Sequence, residues 1–119
     1  MKYIDGFVVP VLKKNVPVYR RLAQKTGRIF REHGALEFRE CVGDDLKVPM
    51  GLPFTRLAKL KPNETVFFSF IVYKSRAQRD SVNRKIMKDP RMLAICGPED
   101  MPFDIRRMAY GGFRALVDL

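Results

Sequence analysis

The sequence predicts an α+β domain in which two helices cover one face of a four-stranded antiparallel sheet. Apolar stretches rich in Phe and Val alternate with two amphipathic segments in the order β-α-β-β-α-β. The two halves of this order have similar lengths, and two helices of this size can cover only one face of the sheet. The 119 residues correspond to one domain, 1–119, which is long enough to bury a core.

The first half is predicted to contain a strand at 3–11, a helix at 16–33, a strand at 36–42 and a loop at 43–53. Apolar residues of the helical segment recur at three- and four-residue steps, and Gly34 ends it. In the second strand, Phe38 and Glu40 lie on one side, and Arg39 and Cys41 lie on the other.

The second half is predicted to contain a short strand at 54–60, a central strand at 66–73, a helix from Ser75 to Lys88, a loop at 91–104 and a last strand at 107–116. Ser75 with Gln78 forms a capping box at the start of the helix, which ends before Pro90. The split βαβ arrangement of ferredoxin-like domains accommodates the whole order.

The sheet face away from the helices is predicted to carry Phe, Tyr, Val and Met side chains with no cover. An exposed apolar face of that extent implies a partner. The simplest partner is a second copy of the chain, so we expect a homodimer.

The chain is strongly basic, with 23 Lys and Arg against 13 Asp and Glu and a net charge of +10. Ten of these cations are predicted to line the outer faces of the two helices: Arg20, Arg21, Lys25, Arg28, Arg31, Arg76, Arg79, Arg84, Lys85 and Lys88. An alternative function is therefore a basic interaction module that binds RNA or another polyanion through its helical face. The segment VFFSFIVY lacks the glycines and the basic start of the RNA-recognition pattern, which favours a solvated helical face.

No segment has the pattern of a signal peptide or of a membrane span, so we expect a cytoplasmic protein with no membrane partner. Two cysteines, Cys41 and Cys96, and one histidine, His33, cannot supply the four ligands of a structural zinc site. We expect two free thiols, no metal and no cofactor. No nucleotide-binding, metalloprotease or serine-hydrolase motif is present, which leaves open whether the chain is an enzyme.

Asp5 is the first candidate catalytic residue, because it interrupts an apolar strand. A buried carboxylate is costly unless it is paired. It is either a general base with a raised pKa or, the favoured interpretation, a structural carboxylate bound to an arginine such as Arg107 or to backbone N–H groups. We place it on the face away from the helices, since the covered face has no room for an unpaired charge.

Tyr110 is the second candidate catalytic residue, since the last strand is expected beside the first, where Tyr3, Asp5 and Tyr110 would meet. The pair that follows it, Gly111 and Gly112, requires either a bulge or a close approach of ligand or backbone. Glu40 is either a second carboxylate of the same cavity or an edge residue that reaches water. The candidate ligand-binding residues are Tyr3, Phe7, Glu40 and Ser69.

Three segments, MKYIDGFVVPV, RDSVNRKIMKDPRM and MPFDIRRMAYGGF, together resemble the YbaA-like family of bacterial proteins, over nearly the whole chain. The resemblance implies a ferredoxin-like fold of the dimeric α/β-barrel group, in which two sheets pack face to face and enclose a cavity. The family has no established function, and fold-level analogy transfers no reaction. We expect a homodimer that binds a small apolar or aromatic molecule in the barrel cavity, with a dimer that has no ligand as a further alternative.

Overall fold

The computed structural model describes residues 1–95 and 101–119 of the chain. Its elements are β1 (Tyr3–Leu12), α1 (Val16–Glu32), β2 (Glu37–Val42), α2 (Phe54–Leu57), β3 (Glu64–Tyr73), α3 (Arg76–Lys88), α4 (Pro90–Ile95) and β4 (Ala109–Arg114). Single 3₁₀ turns precede α1 at Lys13–Asn15 and β4 at Ile105–Arg107.

The four strands form one antiparallel sheet in the order β2-β3-β1-β4. This order places β1 and β3 in the centre and leaves β2 and β4 as edges. The arrangement is ferredoxin-like and confirms the predicted fold class. Side chains alternate between the faces of each strand, so Val9 and Val11 lie in the core while Ile4 and Val8 lie on the opposite face.

The core lies between the helices and the sheet. One cluster, with Ile71, Tyr73, Val82 and Met92 among its members, joins the sheet to α3 and α4. A second cluster consists of Val9, Val11, Tyr19 and Phe67, and it is completed by Phe103 and Met108 from the segment before β4. That segment therefore helps to close the space between α1 and the sheet.

Local signals predicted the start of α3 and the end of α1 correctly. The Ser75 side chain accepts a hydrogen bond from the Gln78 backbone N–H at 3.1 Å, which confirms the N-cap half of the predicted capping box. In place of the reciprocal bond to Ser75, the Gln78 side chain accepts from the Lys74 backbone N–H. The Gln78 side chain also donates to the Gly34 carbonyl oxygen at 2.8 Å. Gly34 has φ +117°, a conformation in which a Cβ is strained, and this accounts for the end of α1.

Three predicted segments differ from the structure: a strand and the start of a loop are helical, and the last strand is shorter than predicted. Residues 54–60 do not form a strand, because 54–57 form the short helix α2, in which the Phe54 ring packs edge-on against Phe68. The predicted loop at 91–104 begins instead with α4, where Pro90 occupies the first position of a helix, which tolerates proline. The last strand is shorter than 107–116, since the turn Ile105–Arg107 comes before it.

The sheet face opposite the helices is largely apolar and partly open. Phe68 and Phe113 are 48% and 61% exposed there, and Ile4, Val8 and Phe70 lie between them. The predicted uncovered face is therefore present in the chain. No helix in 1–95 or 101–119 has the length and apolar character needed to cross a membrane.

Candidate functional site

Five of the six residues predicted from the sequence lie in two polar clusters on the helix-covered face of the sheet. Tyr3, Asp5 and Tyr110 surround Arg79 of α3. Glu40 and Ser69 meet Tyr19 of α1. The Phe7 ring lies between the clusters, since it stacks on Tyr110 with a centroid distance of 4.9 Å and also packs against the core around Tyr19.

Asp5 forms a buried ion pair with Arg79. Nη1 of Arg79 donates to Oδ1 of Asp5 at 2.8 Å and to the Tyr110 hydroxyl at 3.2 Å. The guanidinium carbon also lies 4.8 Å from the centroid of the Tyr3 ring, a cation–π contact. The prediction that Asp5 lies on the face away from the helices is wrong, because an arginine of α3 reaches under the helix layer and supplies the opposite charge.

The arginine suggested as the partner of Asp5 has another role. Nη2 of Arg107 donates to Oε1 of Glu64 at 3.0 Å and to the Lys59 carbonyl oxygen at 2.9 Å. It thus ties the turn before β4 to the start of β3. Arg79, in turn, is withdrawn from the basic helical surface on which it was predicted to lie.

Burial is the main influence on the charges of the Asp5 cluster. It raises the pKa of Asp5, while the charge and hydrogen bond of Arg79 act in the opposite direction. Burial alone would lower the pKa of Arg79, but the attraction of Asp5 and the hydrogen bond to Asp80, with smaller contributions from two tyrosines, together outweigh it and the net shift is upward. Arg79 is therefore a permanent cation, and its contact with Asp5 has the geometry of a structural ion pair.

No bulge accompanies the two glycines of β4, and a close approach explains Gly112. Gly111 and Gly112 pair with Gly6 and Asp5 in unbroken register. A Cβ at Gly112 would lie 2.8 Å from Cε2 of Tyr3, so the Tyr3 ring covers the backbone at this point. The glycine thus allows Tyr3 to pack against the sheet next to Arg79.

The second cluster places a carboxyl group between two hydroxyl donors. The Tyr19 hydroxyl donates to Oε1 of Glu40 at 2.9 Å, and the Ser69 hydroxyl donates to the same oxygen. Glu40 and Ser69 are direct neighbours across the β2–β3 ladder, and the Tyr19 ring packs on Phe67 with a centroid distance of 4.2 Å. Tyr19 was not predicted as a site residue, although a phenol on an apolar helix face needs a partner for its hydroxyl.

Burial also determines the protonation behaviour of this cluster. It raises the pKa of Glu40, and the hydrogen bonds from Ser69 and Tyr19 lower it by a smaller amount. Burial, followed by the charge of Glu40, strongly raises the pKa of Tyr19, which therefore remains a neutral donor. A carboxyl group whose pKa is raised toward neutral pH can act as a proton donor or acceptor.

Glu40 borders two adjoining spaces. The inner chamber, of about 200 Å³, lies between α1, the sheet and the segment before β4. Its lining is mostly apolar and includes Phe7, Leu22, Phe30, Ile71, Met101 and Phe103. An apolar cavity of roughly 150 Å³ can hold a benzene-sized molecule, so the inner chamber has room for one ring.

The outer groove, of about 820 Å³, lies between α1 and β2. Tyr19, Ala23, Phe38 and Glu40 line both spaces and form the wall between them. α1 and β2 approach closely beside this wall, because a Cβ at Gly27 would lie 2.6 Å from Cδ1 of Phe38. Asp5 lines neither space, so Glu40 is the buried acidic group of this pair of spaces.

The remaining candidate ligands for a metal are dispersed. In the described parts of the chain, no group of three or more His, Cys, Asp or Glu side chains could hold a metal ion. Nε2 of His33 lies 2.8 Å from Oδ2 of Asp89, which is also bound by Arg91. Cys41 is a free, exposed thiol, and Cys96 lies outside the described residues.

Solved structures with low sequence identity share the fold. A putative antibiotic biosynthesis monooxygenase from Nitrosomonas europaea has a TM-score of 0.61 at 12% identity, covering 97% of this chain and 90% of that chain. An uncharacterized NIPSNAP domain protein from Burkholderia xenovorans also has a TM-score of 0.61, at 15% identity, covering 95% and 93%. A dimeric ferredoxin-like protein from an uncultured marine organism has a TM-score of 0.50 at 13% identity, covering 100% and 98%. At these identities the likeness extends to the fold alone.

Sequence similarity is much higher to the uncharacterized protein YbaA. The Escherichia coli K12 protein is 44% identical over 118 residues, which are 99% of this chain and 99% of the relative. The Shigella flexneri protein has the same identity and coverage. Both matches confirm the resemblance found in the three sequence segments. Since the model of the family described as "Protein of unknown function (DUF1428)" also matches residues 2–105, the chain belongs to that family, together with YbaA.

Proposed function

We propose that this protein binds a small apolar or aromatic molecule in the inner chamber, and that Glu40 orients this molecule and exchanges a proton with it. The observation that carries the proposal is a carboxyl group held by Tyr19 and Ser69 in the wall of a mostly apolar chamber. Pockets for small molecules typically combine such a lining with a few fixed polar groups.

The geometry of Glu40 leaves one oxygen available. Both hydroxyl donors bind Oε1, and no donor from the described residues binds Oε2. A partly buried carboxyl oxygen without a donor favours a ligand group that can hydrogen-bond to it. The raised pKa of Glu40 makes the same group suited to proton transfer.

This proposal moves the site away from the residues predicted as catalytic. Asp5 and Tyr110 are engaged by Arg79, and Tyr3 covers that arginine, so their contacts favour a structural role. It also places the ligand under α1 and not between two sheets. Phe7, Glu40 and Ser69 keep their predicted role as ligand-binding residues, because all three line the inner chamber.

The test is binding of a neutral aromatic probe, N-phenyl-1-naphthylamine, measured by the change in its fluorescence. Its phenyl ring matches the one-ring size of the inner chamber, and its naphthyl group would extend into the outer groove. Ala23 lines both spaces, so Ala23→Phe should fill their shared wall and abolish binding. Ala77→Phe, the same change at an exposed position of α3, is the control and should bind like the wild type. A folded wild-type protein that does not bind the probe, or binding that Ala23→Phe leaves unchanged, contradicts the proposal.

We also propose that the open sheet face is covered by a second copy of the chain, which gives a homodimer. The Phe68 and Phe113 rings are exposed, which supports this proposal. The segment just before α2 also exposes apolar side chains, such as Met50 and Leu52. The similarity to a solved protein described as dimeric agrees with this assembly. A structural dimer with no ligand, the alternative considered from the sequence, would show this assembly without binding the probe.

Sedimentation at micromolar concentration tests the dimer. The wild type should have a dimer mass, and Phe113→Lys should shift it to the monomer, because a charge would be buried between the two sheets. Leu93→Lys on α4 is the matched control, since Leu93 is 70% exposed and lies away from this face. A wild-type monomer under these conditions rules out the dimer proposal.

A further inference from the structure

The outer groove combines an apolar floor with a cationic rim. Its floor includes Val16, Val42, Phe38 and Phe67. Its rim on α1 consists of Arg20, Arg28 and Arg31, which with Gln24 follow each other at three- and four-residue steps along one face of the helix. We call these three arginines the arginine rim.

The arginine rim has no opposite charge of its own among the described residues. None of its members has a carboxylate within ion-pair distance in 1–95 or 101–119. Glu32, which also lines the groove, is held by Nη1 of Arg91 at 2.7 Å. By contrast, Arg79 and Arg107 each bind a carboxylate with a structural role.

The chemical groups along the site thus follow a fixed order. The inner chamber accepts an apolar ring, Glu40 stands in the wall it shares with the outer groove, and the arginine rim lies on the far side. An ionised acid group would be repelled by Glu40 and attracted by the rim. Guanidinium groups bind carboxylate, sulfonate and phosphate oxygens with paired N–H donors.

On the basis of the proposed function, we infer that the ligand is an anionic amphiphile whose aromatic or alkyl body enters the inner chamber and whose acid group binds the arginine rim. Glu40 then contacts the body of the ligand and not its acid group. The groove volume of about 820 Å³ leaves room for the part of the molecule that joins the two ends.

Two probes with the same aromatic body separate this inference from the proposed function. N-phenyl-1-naphthylamine is neutral, and 1-anilinonaphthalene-8-sulfonate carries an acid group. The triple variant Arg20→Gln/Arg28→Gln/Arg31→Gln should weaken binding of the sulfonate about tenfold, as expected when three exposed charge contacts are lost. It should change binding of the neutral probe by less than about twofold, because the uncharged body makes no ion pair with the rim.

The control keeps the same loss of charge but places it elsewhere. Lys25→Gln/Arg84→Gln/Lys85→Gln removes three exposed cations that line neither the inner chamber nor the outer groove. Salt screens the long-range attraction between these distant charges and the probe. At physiological ionic strength this variant should therefore bind the sulfonate within about twofold of the wild type. Thermal melting verifies that each variant is folded.

The outcomes are distinct. If the neutral probe does not bind the wild type, the proposed function fails. If it binds, but the two triple variants weaken the sulfonate equally, only the inference of an acid-binding rim fails. Loss confined to the sulfonate and to the rim variant supports both.

Discussion

Nη1 of Arg79 lies 2.8 Å from Oδ1 of Asp5 at a point where the two side chains are 12% and 3% exposed. The pair joins α3 to β1, and the Tyr3 ring covers it on one side. A buried pair of this kind contributes little net stability relative to apolar residues, but it is strongly destabilising when one charge is left alone.

The first prediction concerns this pair. Arg79→Met should lower the free energy of unfolding by about 3 kcal/mol, since it leaves the Asp5 carboxylate buried without its cation. The double variant Asp5→Asn/Arg79→Met should lose less free energy of unfolding than the Asp5→Asn and Arg79→Met variants lose in sum, because neither charge remains. Urea unfolding measures both values. Arg76→Met, at an exposed position one turn earlier, is the control, and an equal loss from Arg76→Met and Arg79→Met would contradict a buried pair.

The second prediction concerns the pH dependence of Glu40. Its pKa is raised above the ordinary 4.5 in the folded protein, so the folded state binds this proton more tightly than the unfolded chain. The unfolding free energy of the wild type relative to Glu40→Gln should therefore rise as pH falls through the folded pKa, and level off below the unfolded value. Urea unfolding across a pH series measures this difference; a difference that stays constant with pH would show that the Glu40 pKa is not raised.

The third prediction tests the hydroxyl that holds Glu40. Tyr19 donates a hydrogen bond that lowers the pKa of Glu40, so Tyr19→Phe should raise that pKa further. Carboxyl-carbon NMR titration follows the change directly. Tyr73→Phe provides a control, since the Tyr73 hydroxyl has no hydrogen-bond partner among the described residues and its removal should leave Glu40 unchanged. A downward shift in Tyr19→Phe would show that the phenol does not donate to the Glu40 carboxylate.

The fourth prediction concerns the contact between α1 and β2. Alanine is the better helix former by roughly 1 kcal/mol, yet Gly27→Ala would place its Cβ 2.6 Å from Cδ1 of Phe38. We expect a net loss of about 1–3 kcal/mol, as for other overpacked sites. In a Phe38→Leu background the same substitution should be nearly neutral or stabilising. Urea unfolding of the wild type, the two single variants and the double variant measures the interaction energy between the two positions. Equal effects in both backgrounds would exclude this contact as the cause.

Local patterns in the sequence were sufficient for most of the fold. The apolar run of β3, the N-cap serine at 75 and the glycine at 34 each act over a few residues, and each is found as predicted. The short apolar segment 54–60 was misassigned because periodicity cannot distinguish a strand from a single helical turn over so few residues.

The candidate site was harder to predict because its partners are distant in the sequence. Asp5 is neutralised by a residue 74 positions away, and a local pattern of apolar neighbours contains no sign of it. Glu40 was recognised as unusual on its strand, but its hydroxyl partners come from α1 and β3, 21 and 29 positions away. The sequence therefore indicated which polar groups are buried, while only the fold shows which groups satisfy them.

The position of β2 in the sheet has a consequence for its local opening. β2 is an edge strand, bonded to β3 on one side only, and it carries both Phe38 and Glu40. Because the other edge of β2 is unpaired in the described part of the chain, local opening there should cost less free energy than opening of the central β1–β3 ladder. Amide hydrogens of β2 should therefore exchange with solvent faster than those of β1 and β3, and a ligand bound between α1 and β2 should slow that exchange.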